Sequence, residues 1–307
     1  MFFKLTLSNG LLSAIVITII TMVLCFGCIV KSNAFETFDG KSPYSKSGYS
    51  NYKHNKEKFD GYTIMNGIDV SAWQGGEFCD YTKAKNAGVD FAIIRASWSG
   101  STEGKRSEDS DWKEHFRKAR EAGIMTGLYH LSQATTKTEA RKEANFICDT
   151  FEAGIKEIYG SDNAKKYLEL PIYMDYEFVG KSTGKDKGRL YGITKSKATS
   201  CATEFCETIK ARGYKPGIYA NVTFLCNTID GMALGEKYDL WIAQYYNTCQ
   251  FVGNYNVWQY SSSAKISGIK SYKNENGSVD VNFWYVKDSD LVTEPEIEQN
   301  QEKEKSA

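Results

Sequence analysis

The sequence predicts an α/β fold, an irregular TIM-like barrel of five β/α units followed by three strands, within a single domain. Eight short apolar runs, rich in β-branched and aromatic residues, follow one another between positions 67 and 285. Amphipathic helical patterns separate the first five runs, which is typical of parallel strands joined by crossover helices. Too few residues separate the last three runs for full helices, which favours a barrel that closes on itself. An open doubly wound sheet is the alternative from this pattern alone.

The eight runs are interpreted as strands in chain order. The five with helical patterns after them are GIDVS (67–71), FAIIRASW (91–98), MTGLYHLS (125–132), PIYMDYEF (171–178) and KPGIYAN (215–221). The three without are YDLWIAQY (238–245), NVWQYSS (256–262) and SVDVNFWY (278–285).

Helix start and stop signals lie between the strands. Asp111, Thr136 and Thr194 each stand directly before a helical pattern, and such residues cap helix N-termini. Thr136 also begins a capping box, with a glutamate three positions later. Gly123 and Gly213 follow the first and third of these helices, where glycine lets the chain leave a helix.

The N-terminus carries a membrane-directed segment. From Leu11 to Val30 the sequence has no charged residue, and this length is enough to span a bilayer. The small-x-small pattern that ends at Ala34 is one that a signal peptidase could cut. Residues 1–34 are therefore predicted to be a signal peptide or an N-terminal membrane anchor, and in either case the rest of the chain is exported.

The remaining chain divides by composition. Residues 35–61 are polar, rich in Ser and Lys and without periodicity, which predicts a polar linker. Residues 62–290 hold all the strand and helix patterns and are predicted to form the folded domain. Residues 291–307 are predicted to be an acidic disordered tail.

Charge and composition exclude several classes of protein. The chain has 38 Lys and Arg against 38 Asp and Glu, so its formal net charge is zero. This balance argues against a basic nucleic-acid binder. Hydrophobic residues at 41% and charged residues at 25% match a globular protein and exclude a wholly disordered chain.

Four acidic residues interrupt the apolar strands. Asp175 and Glu177 are two positions apart on one strand, so their side chains point to the same side. At the C-terminal end of a barrel strand they would face the mouth, where barrel active sites lie. Close like charges raise the pKa of one carboxyl group, and a Glu kept protonated can act as a general acid. Asp69 and Asp280 stand on two further strands.

Each acid alone also has a structural interpretation, since an Asp at a strand end can cap a helix or pair with Arg95. Four acids that converge in one barrel are harder to explain in this way, because burying carboxylates has a high desolvation cost. We therefore predict that they form one catalytic group.

Aromatic residues lie beside these acids at the strand ends. Flat rings on a cleft wall suit stacking on the apolar faces of sugar rings, and their N–H and O–H groups can bond sugar hydroxyls. A single aromatic residue is more often part of a core, so only the clustering of several rings at the strand ends indicates a sugar-binding cleft. The cluster comprises Trp73, Trp98, Tyr129, Tyr219, Trp241, Tyr245, Trp258 and Tyr260.

Histidines and cysteines suggest no metal site. The sequence has no H-E-x-x-H motif, and its three histidines are scattered. His130 either lines the mouth of the barrel or is a hydrogen-bonded structural residue. The six cysteines beyond the apolar segment either form disulfides, as exported cysteines often do, or stay reduced as small hydrophobic residues.

In their order and spacing, the strand motifs resemble the family 25 glycoside hydrolases, the Chalaropsis-type lysozymes. The resemblance covers about residues 64–287 and implies a single catalytic domain of the barrel type described above. It also implies hydrolysis of the β-1,4 bond between N-acetylmuramic acid and N-acetylglucosamine in peptidoglycan. The motifs that carry it are GIDVSAWQG, DFAIIRAS, GLYHLS, PIYMDYE, KPGIYAN, LWIAQY, VWQYSSS and VDVNFW.

The resemblance further implies residue roles. Glu177 corresponds to the family's catalytic Glu, the general acid, with Asp175 beside it as stabiliser. Asp69 and Asp280 correspond to the family's Asp residues on the first and last strands. Positions that line the family's groove are matched by Tyr129, Trp241, Gln244, Trp258 and Gln259, and Trp73 and Tyr219 are added as substrate-binding candidates from the aromatic cluster.

The expected partners are the glycan strands of peptidoglycan, bound by a monomeric catalytic domain that needs no metal and no cofactor. Contact with a membrane is expected only through the N-terminal apolar segment. The protein is expected to be extracellular, either secreted or anchored to the membrane with its catalytic domain outside.

Two other functions are weighed against this one. A chitinase-like glycosidase of family 18 also places D-x-E at the end of the fourth barrel strand, but its longer signature D-x-x-D-x-D-x-E would require acids at Leu170 and Tyr173. A catalytically inactive peptidoglycan-binding surface protein on the same barrel is the second alternative, since a fold does not guarantee an activity. The intact set of four acids argues against it.

Overall fold

The computed structural model describes residues 35–270 and 277–291 of the chain. The predicted signal peptide or anchor (residues 1–34) and all but the first residue of the predicted tail (residues 291–307) lie outside these ranges. No helix within the described ranges combines the length and the apolar character needed to cross a bilayer.

Strands and helices alternate through the first two thirds of the described chain. The strands are β1 (Thr37–Gly40), β2 (Tyr52–Asn55), β3 (Tyr62–Val70), β4 (Phe91–Ser99), β5 (Arg106–Glu108), β6 (Met125–Ser132), β7 (Ile172–Tyr176), β8 (Pro216–Asn221), β9 (Asp239–Ala243), β10 (Val257–Ala264) and β11 (Val279–Lys287). The helices are α1 (Lys56–Phe59), α2 (Tyr81–Asn86), α3 (Trp112–Glu121), α4 (Lys137–Tyr159), α5 (Lys195–Ala211), α6 (Val222–Asn227), α7 (Gly231–Gly235) and α8 (Asp288–Leu291).

Eight of the strands close into a barrel. Their order is β3, β11, β10, β9, β8, β7, β6 and β4, and β4 pairs back with β3. The strands β3, β4, β6, β7, β8, β9 and β10 run parallel, whereas β11 is antiparallel to both of its neighbours. The predicted TIM-like barrel is therefore confirmed, and the pairing of β3 with β4 excludes the open sheet.

The predicted helix starts are confirmed, although one of them works differently from the expectation. The Thr136 hydroxyl accepts a hydrogen bond from the N–H of Glu139 at the start of α4 (3.2 Å), and Thr194 does the same for α5. Asp111 precedes α3, but its carboxylate makes no cap and accepts a hydrogen bond from the N–H of Gly76 instead (3.0 Å). This contact ties the loop after β3 to α3.

The inside of the barrel is filled by rings that require glycine on neighbouring strands. A Cβ at Gly67 would lie 2.5 Å from the ring of Phe91, and one at Gly217 would lie 2.3 Å from the ring of Tyr173. Both rings are fully buried. Glycine at these two positions therefore makes room for the interior layer beneath the mouth.

Residues 35–61 do not form the polar linker that the sequence predicts. They contain β1, β2 and α1, which pack on the barrel, and we call residues 37–59 the N-terminal strap. The strap covers β10 and β11, which carry no crossover helices. Their outer faces would otherwise be exposed, so the folded domain starts before residue 62.

Aromatic rings hold the strap in place. Tyr52 is fully buried and packs edge-on against Trp258 and Phe283, with ring centroids 5.6 and 5.4 Å apart. Phe59 stacks on Tyr285 with ring centroids 3.6 Å apart. The strap thus provides the outer core layer that helices provide elsewhere around the barrel.

The cysteines of the described residues are buried and form no disulfide with one another. Of the two interpretations left open by the sequence, the structure agrees with that of small hydrophobic residues. These cysteines are Cys79, Cys148, Cys201, Cys206, Cys226 and Cys249.

We expect Tyr52→Ala to lower the free energy of unfolding by about 3–5 kcal/mol, because it removes a large ring from a packed core and leaves a cavity. Urea denaturation of the full chain measures the change. Tyr246→Ala is the matched control, since its ring is 55% exposed and its removal should change stability by less than about 0.5 kcal/mol. Equal stability of the two variants would contradict a structural role for the strap.

Candidate active site

The four predicted acids meet at one end of the barrel. Asp69 stands near the end of β3, Asp175 in β7 and Glu177 directly after β7. Because β11 is antiparallel to β3, its first residues lie at the same end, and Asp280 is paired directly with Asp69. All four line a cavity of about 390 Å³ at the mouth, the end where barrel enzymes carry their active sites.

Burial raises the pKa of Asp69 to about 6, against the opposing effect of hydrogen bonds from Asn282 and Gln259. Burial also raises the pKa of Asp280, and the charges of Asp69 and Glu177 raise it further. Carboxyl groups held this close cannot all ionise at neutral pH. Burial and mutual repulsion therefore both favour the protonated forms of these carboxyl groups.

Glu177 and Asp175 differ in their surroundings. Burial raises the pKa of Glu177, and the negative charge of Asp69 adds to the effect. Burial also raises the pKa of Asp175, with a further rise from Glu177 and Asp69 and a partial offset from Arg95. The Oδ1 atom of Asp175 is buried and accepts no hydrogen bond from any residue that the structure describes.

Arg95 does not pair with the acids of the cavity. Its Nε atom lies 2.8 Å from Oδ2 of Asp109, whose side chain is fully buried. The same carboxylate also accepts hydrogen bonds from the N–H groups of Ala72 and Asp111. The structural interpretation of the acids as partners of Arg95 is therefore not supported, because Asp109 takes that place.

The side-chain amide of Gln259 connects two of the acids. Its Nε2 atom donates to Oδ2 of Asp69 (2.9 Å) and to Oδ2 of Asp280 (3.2 Å). Its Oε1 atom accepts from the hydroxyl groups of Tyr219 (2.9 Å) and Tyr245 (3.0 Å). Both ends of the amide are thus occupied by protein groups.

Asn282 is a site residue that the sequence analysis missed. It is fully buried, its Nδ2 atom donates to Oδ2 of Asp69 (2.9 Å), and its Oδ1 atom accepts from Nε1 of Trp241 (2.7 Å). The available signal was its position two residues after Asp280 on the same strand, which places both side chains on one face. Tyr245, which the sequence predicts only as an aromatic neighbour of the acids, also belongs to this network through its hydrogen bond to Gln259.

Aromatic side chains form the walls and floor of the cavity. Trp73 stands at the mouth with 54% of its surface exposed. Trp241 lies deeper, with its ring 4.4 Å from that of Tyr219 and 5.8 Å from that of Tyr129. The cavity is thus lined by five of the seven predicted substrate-binding residues, namely Trp73, Tyr129, Tyr219, Trp241 and Gln259.

The structure does not place Trp258 and Gln244 in the cavity. Trp258 is next to Gln259 on β10, and because neighbouring strand residues face opposite sides its ring lies beneath the strap. Its Nε1 atom donates to the backbone oxygen of Gln244 (2.8 Å). The Gln244 side chain accepts from the N–H of Gln250 (2.7 Å), so it closes a loop.

The histidines are all structural. His130 is fully buried, with Nδ1 2.7 Å from Oγ of Ser97 and Nε2 3.1 Å from Oγ of Ser99. His54 and His115 are also buried, against Tyr285 and Tyr81. Within residues 35–270 and 277–291, no group of three or more His, Cys, Asp or Glu side chains is arranged to hold a metal ion.

One further sequence motif, that of a nucleophilic serine, does not form a catalytic site in this structure. The segment GKSTG (180–184) matches the G-x-S-x-G pattern of a nucleophile elbow. Ser182 lies in an exposed bend six residues after β7, and no helix starts directly after it, so it is not on the sharp strand-to-helix turn of a nucleophile elbow. Since every histidine of the chain is buried, no general base is available to activate its hydroxyl.

A backbone contact fixes the position of Glu177. The side chain of Gln133 donates from Nε2 to the Glu177 carbonyl oxygen (3.1 Å). The N–H of Gln133 in turn donates to the buried carboxylate of Glu143 (3.3 Å). The end of β6 therefore holds the residue that follows β7.

Comparisons with known proteins agree with this site. The family model described as "Glycosyl hydrolases family 25" matches residues 68–269. The chain is 24% identical to "Lysozyme M1" of Streptomyces globisporus over 224 residues, which are 71% of this chain and 67% of that protein. It is 26% identical to the "Lysozyme" of Lactococcus phage mv1 over 223 residues, which are 71% of this chain and 93% of that protein.

Solved structures show the same fold. The modular autolysin LytC from Streptococcus pneumoniae superposes with a TM-score of 0.57 at 24% identity, over 72% of this chain and 47% of that one, so the match spans about half of LytC. A family 25 glycosyl hydrolase from Bacillus anthracis superposes with a TM-score of 0.53 at 20% identity, over 76% of this chain and 93% of that one. From the family model and the barrel together, the chain belongs to family 25 of the glycosyl hydrolases and is a glycoside hydrolase.

Proposed function

We propose that the chain is an exported lysozyme that hydrolyses the β-1,4 bond between N-acetylmuramic acid and N-acetylglucosamine in peptidoglycan. In this proposal Glu177 is the general acid and Asp175 the stabiliser. The single observation that carries the proposal is that these two carboxyl groups line one cavity, with a raised pKa for Glu177. Membership of family 25 supports the substrate.

The first step is the departure of the leaving sugar. Burial and the charge of Asp69 keep the proton on Glu177, so that it can protonate the glycosidic oxygen. The bond from C1 to that oxygen then breaks, and positive charge develops on C1 and the ring oxygen. The anionic carboxyl groups of the cavity stabilise this charge.

Asp175 assists a reaction in which the substrate supplies its own nucleophile. Asp175 lines the cavity, and its carboxylate can accept a hydrogen bond from the acetamido N–H of the sugar. This contact would turn the acetamido oxygen towards C1, where it displaces the leaving group. Water then opens the cyclic intermediate, with Glu177 as the base, and the anomeric configuration is retained.

The aromatic walls hold the sugars. The ring of Trp73 is 54% exposed and lines the mouth of the cavity, where it can stack on a sugar ring. Trp241 can contribute only its ring, because its N–H is bonded to Asn282. We propose that the catalytic domain acts as a monomer.

Export is part of the proposal. Peptidoglycan lies outside the cytoplasmic membrane, so an enzyme that degrades it must act there. The uncharged segment from Leu11 to Val30 supplies the expected signal or anchor and lies outside the described residues. The catalytic domain is therefore proposed to work outside the cell, either secreted or anchored.

The two alternatives find no support in the cavity. Where a chitinase-like enzyme of family 18 would need acids, Leu170 and Tyr173 are buried and apolar or aromatic, and they pack in the interior of the barrel. An inactive binding protein would have no need for four costly buried carboxyl groups. Neither function is favoured by a specific contact.

We expect Glu177→Gln to lose at least about 100-fold in the release of reducing ends from purified peptidoglycan, because general acid catalysis contributes 10²–10⁴-fold. The full chain is used, with Glu157→Gln as the control, since Glu157 is a 64% exposed partner of Lys113 and does not line the cavity. Equal turnover by Glu177→Gln and wild type would contradict the assignment of Glu177 as the general acid. Turnover of chitin by the wild type at a similar rate would favour the family 18 alternative.

The acetamido route has its own test. We expect Asp175→Asn to lower kcat about 100-fold on peptidoglycan, the size of one well-placed electrostatic contact. On de-N-acetylated peptidoglycan the wild type should already be slow, and Asp175→Asn should reduce its rate little further, because the acetamido oxygen that the contact would turn towards C1 is absent. The same 100-fold loss on both substrates would rule out this role for Asp175.

A further inference from the structure

We infer that Trp241 and Asn282 form a positioning relay that holds Asp69 in its charged form, and that this charge keeps the proton on Glu177. The inference rests on the proposed function of Glu177 as the general acid. It assigns to Trp241 a role through its N–H group, in addition to the contact of its ring with the substrate.

The relay begins with a group that can only donate. The indole Nε1–H of Trp241 has no acceptor capacity, so the atom of Asn282 that lies 2.7 Å from it must be the carboxamide oxygen. The other end of the amide, Nδ2, must then face Asp69, at 2.9 Å from Oδ2. Trp241 thus determines that Asp69 meets a hydrogen-bond donor.

Gln259 delivers a second donor to the same atom of Asp69. Its Nε2 atom lies 2.9 Å from Oδ2, while the hydroxyl groups of Tyr219 and Tyr245 occupy its oxygen. Two N–H donors on one carboxylate oxygen favour the anion. Burial raises the pKa of Asp69, and these two contacts oppose that rise, so that it settles at about 6.

Other ionisable groups also face Asp69. The carboxyl groups are Asp175 and Glu177 from β7 and its C-terminal end, and Asp280 from β11. The phenols are Tyr129 from β6, Tyr219 from β8 and Tyr245 after β9, and all three have a raised pKa, chiefly through burial. The cation Arg95 from β4 is held by Asp109. Among these groups, only Asp69 accepts hydrogen bonds from the side-chain amides of both Asn282 and Gln259.

The charge on Asp69 acts on Glu177. After burial, that charge is the cause that raises the pKa of Glu177. If the relay is broken, the pKa of Asp69 rises and the group becomes neutral over more of the pH range. Glu177 then loses its proton at lower pH, and activity must fall earlier on the alkaline side.

Trp241→Phe keeps an aromatic ring but removes the N–H together with part of the indole, so its effect is compared with that of a second Trp→Phe change that loses the same volume. We expect kcat/KM on soluble peptidoglycan fragments to fall by about threefold to tenfold relative to the wild type near pH 6–7, where Asp69 is charged in the wild type and neutral in the variant, and to differ less at pH 5. Trp284→Phe is the matched control. It makes the same chemical change at the opposite end of the barrel, where the ring of Trp284 packs on Phe91 with centroids 5.6 Å apart.

A direct titration uses the carbon-13 signals of the Asp side-chain carboxyl groups in the full chain, with Asp69→Asn for assignment. We expect Asp69 to titrate at higher pH in Trp241→Phe and in Asn282→Leu, and the double variant to match Asn282→Leu, because both changes break the same chain of contacts. Asn282→Leu keeps the test available if Trp241→Phe does not fold.

An unchanged titration of Asp69 in both variants would overturn the relay. A shifted titration with an unchanged pH profile of kcat/KM would overturn its connection to Glu177. The titration needs no activity, so a wild type that does not cleave peptidoglycan would refute the proposed function and leave the effect of Trp241 on Asp69 to be decided by the titration.

Discussion

The site depends on the antiparallel pairing of β11 with β3. This pairing closes the barrel and sets Asp280 directly opposite Asp69, which brings two carboxyl groups together in a buried place where their repulsion is costly. Hydrogen bonds from Gln259 and Asn282 offset part of that cost. A parallel last strand would put its first residues at the other end of the barrel, so the strand direction alone brings Asp280 and Asn282 to the mouth.

The same closure explains the strap. The strands that complete the barrel follow one another without full helices, so the outer faces of β10 and β11 need another cover, and residues 37–59 provide it. Side chains on β10 then alternate between the outer layer beneath the strap and the inner layer that faces the cavity. Trp258 packs outward beneath Tyr52, whereas Gln259 points inward to the acids. The stability of the outer layer and the geometry of the cavity are therefore linked through single strands.

The sequence predicts those parts of the site that follow from the regular alternation of side chains along a strand. The eight barrel strands and the positions of Asp69, Asp175, Glu177 and Asp280 at the mouth can be derived from apolar runs and from the spacing of two residues. The strap could not be predicted, because its buried rings, such as Tyr52, stand singly among Ser and Lys residues. Trp258 was misplaced because a resemblance of motifs does not reveal which way a ring points on a strand. The role of Asn282 depends on the rings and acids of other strands, which no local pattern contains.

The central claim is that Glu177 acts by giving a proton to the leaving group. The most direct test is single-turnover release of dinitrophenolate from a muramic acid glycoside, because this leaving group departs without a proton. The account predicts that Glu177→Gln releases it within about tenfold of the wild type, while the same variant loses at least about 100-fold on peptidoglycan. An equal loss on both substrates would contradict the account, because it would mean that Glu177 shapes the cavity and does not supply the proton.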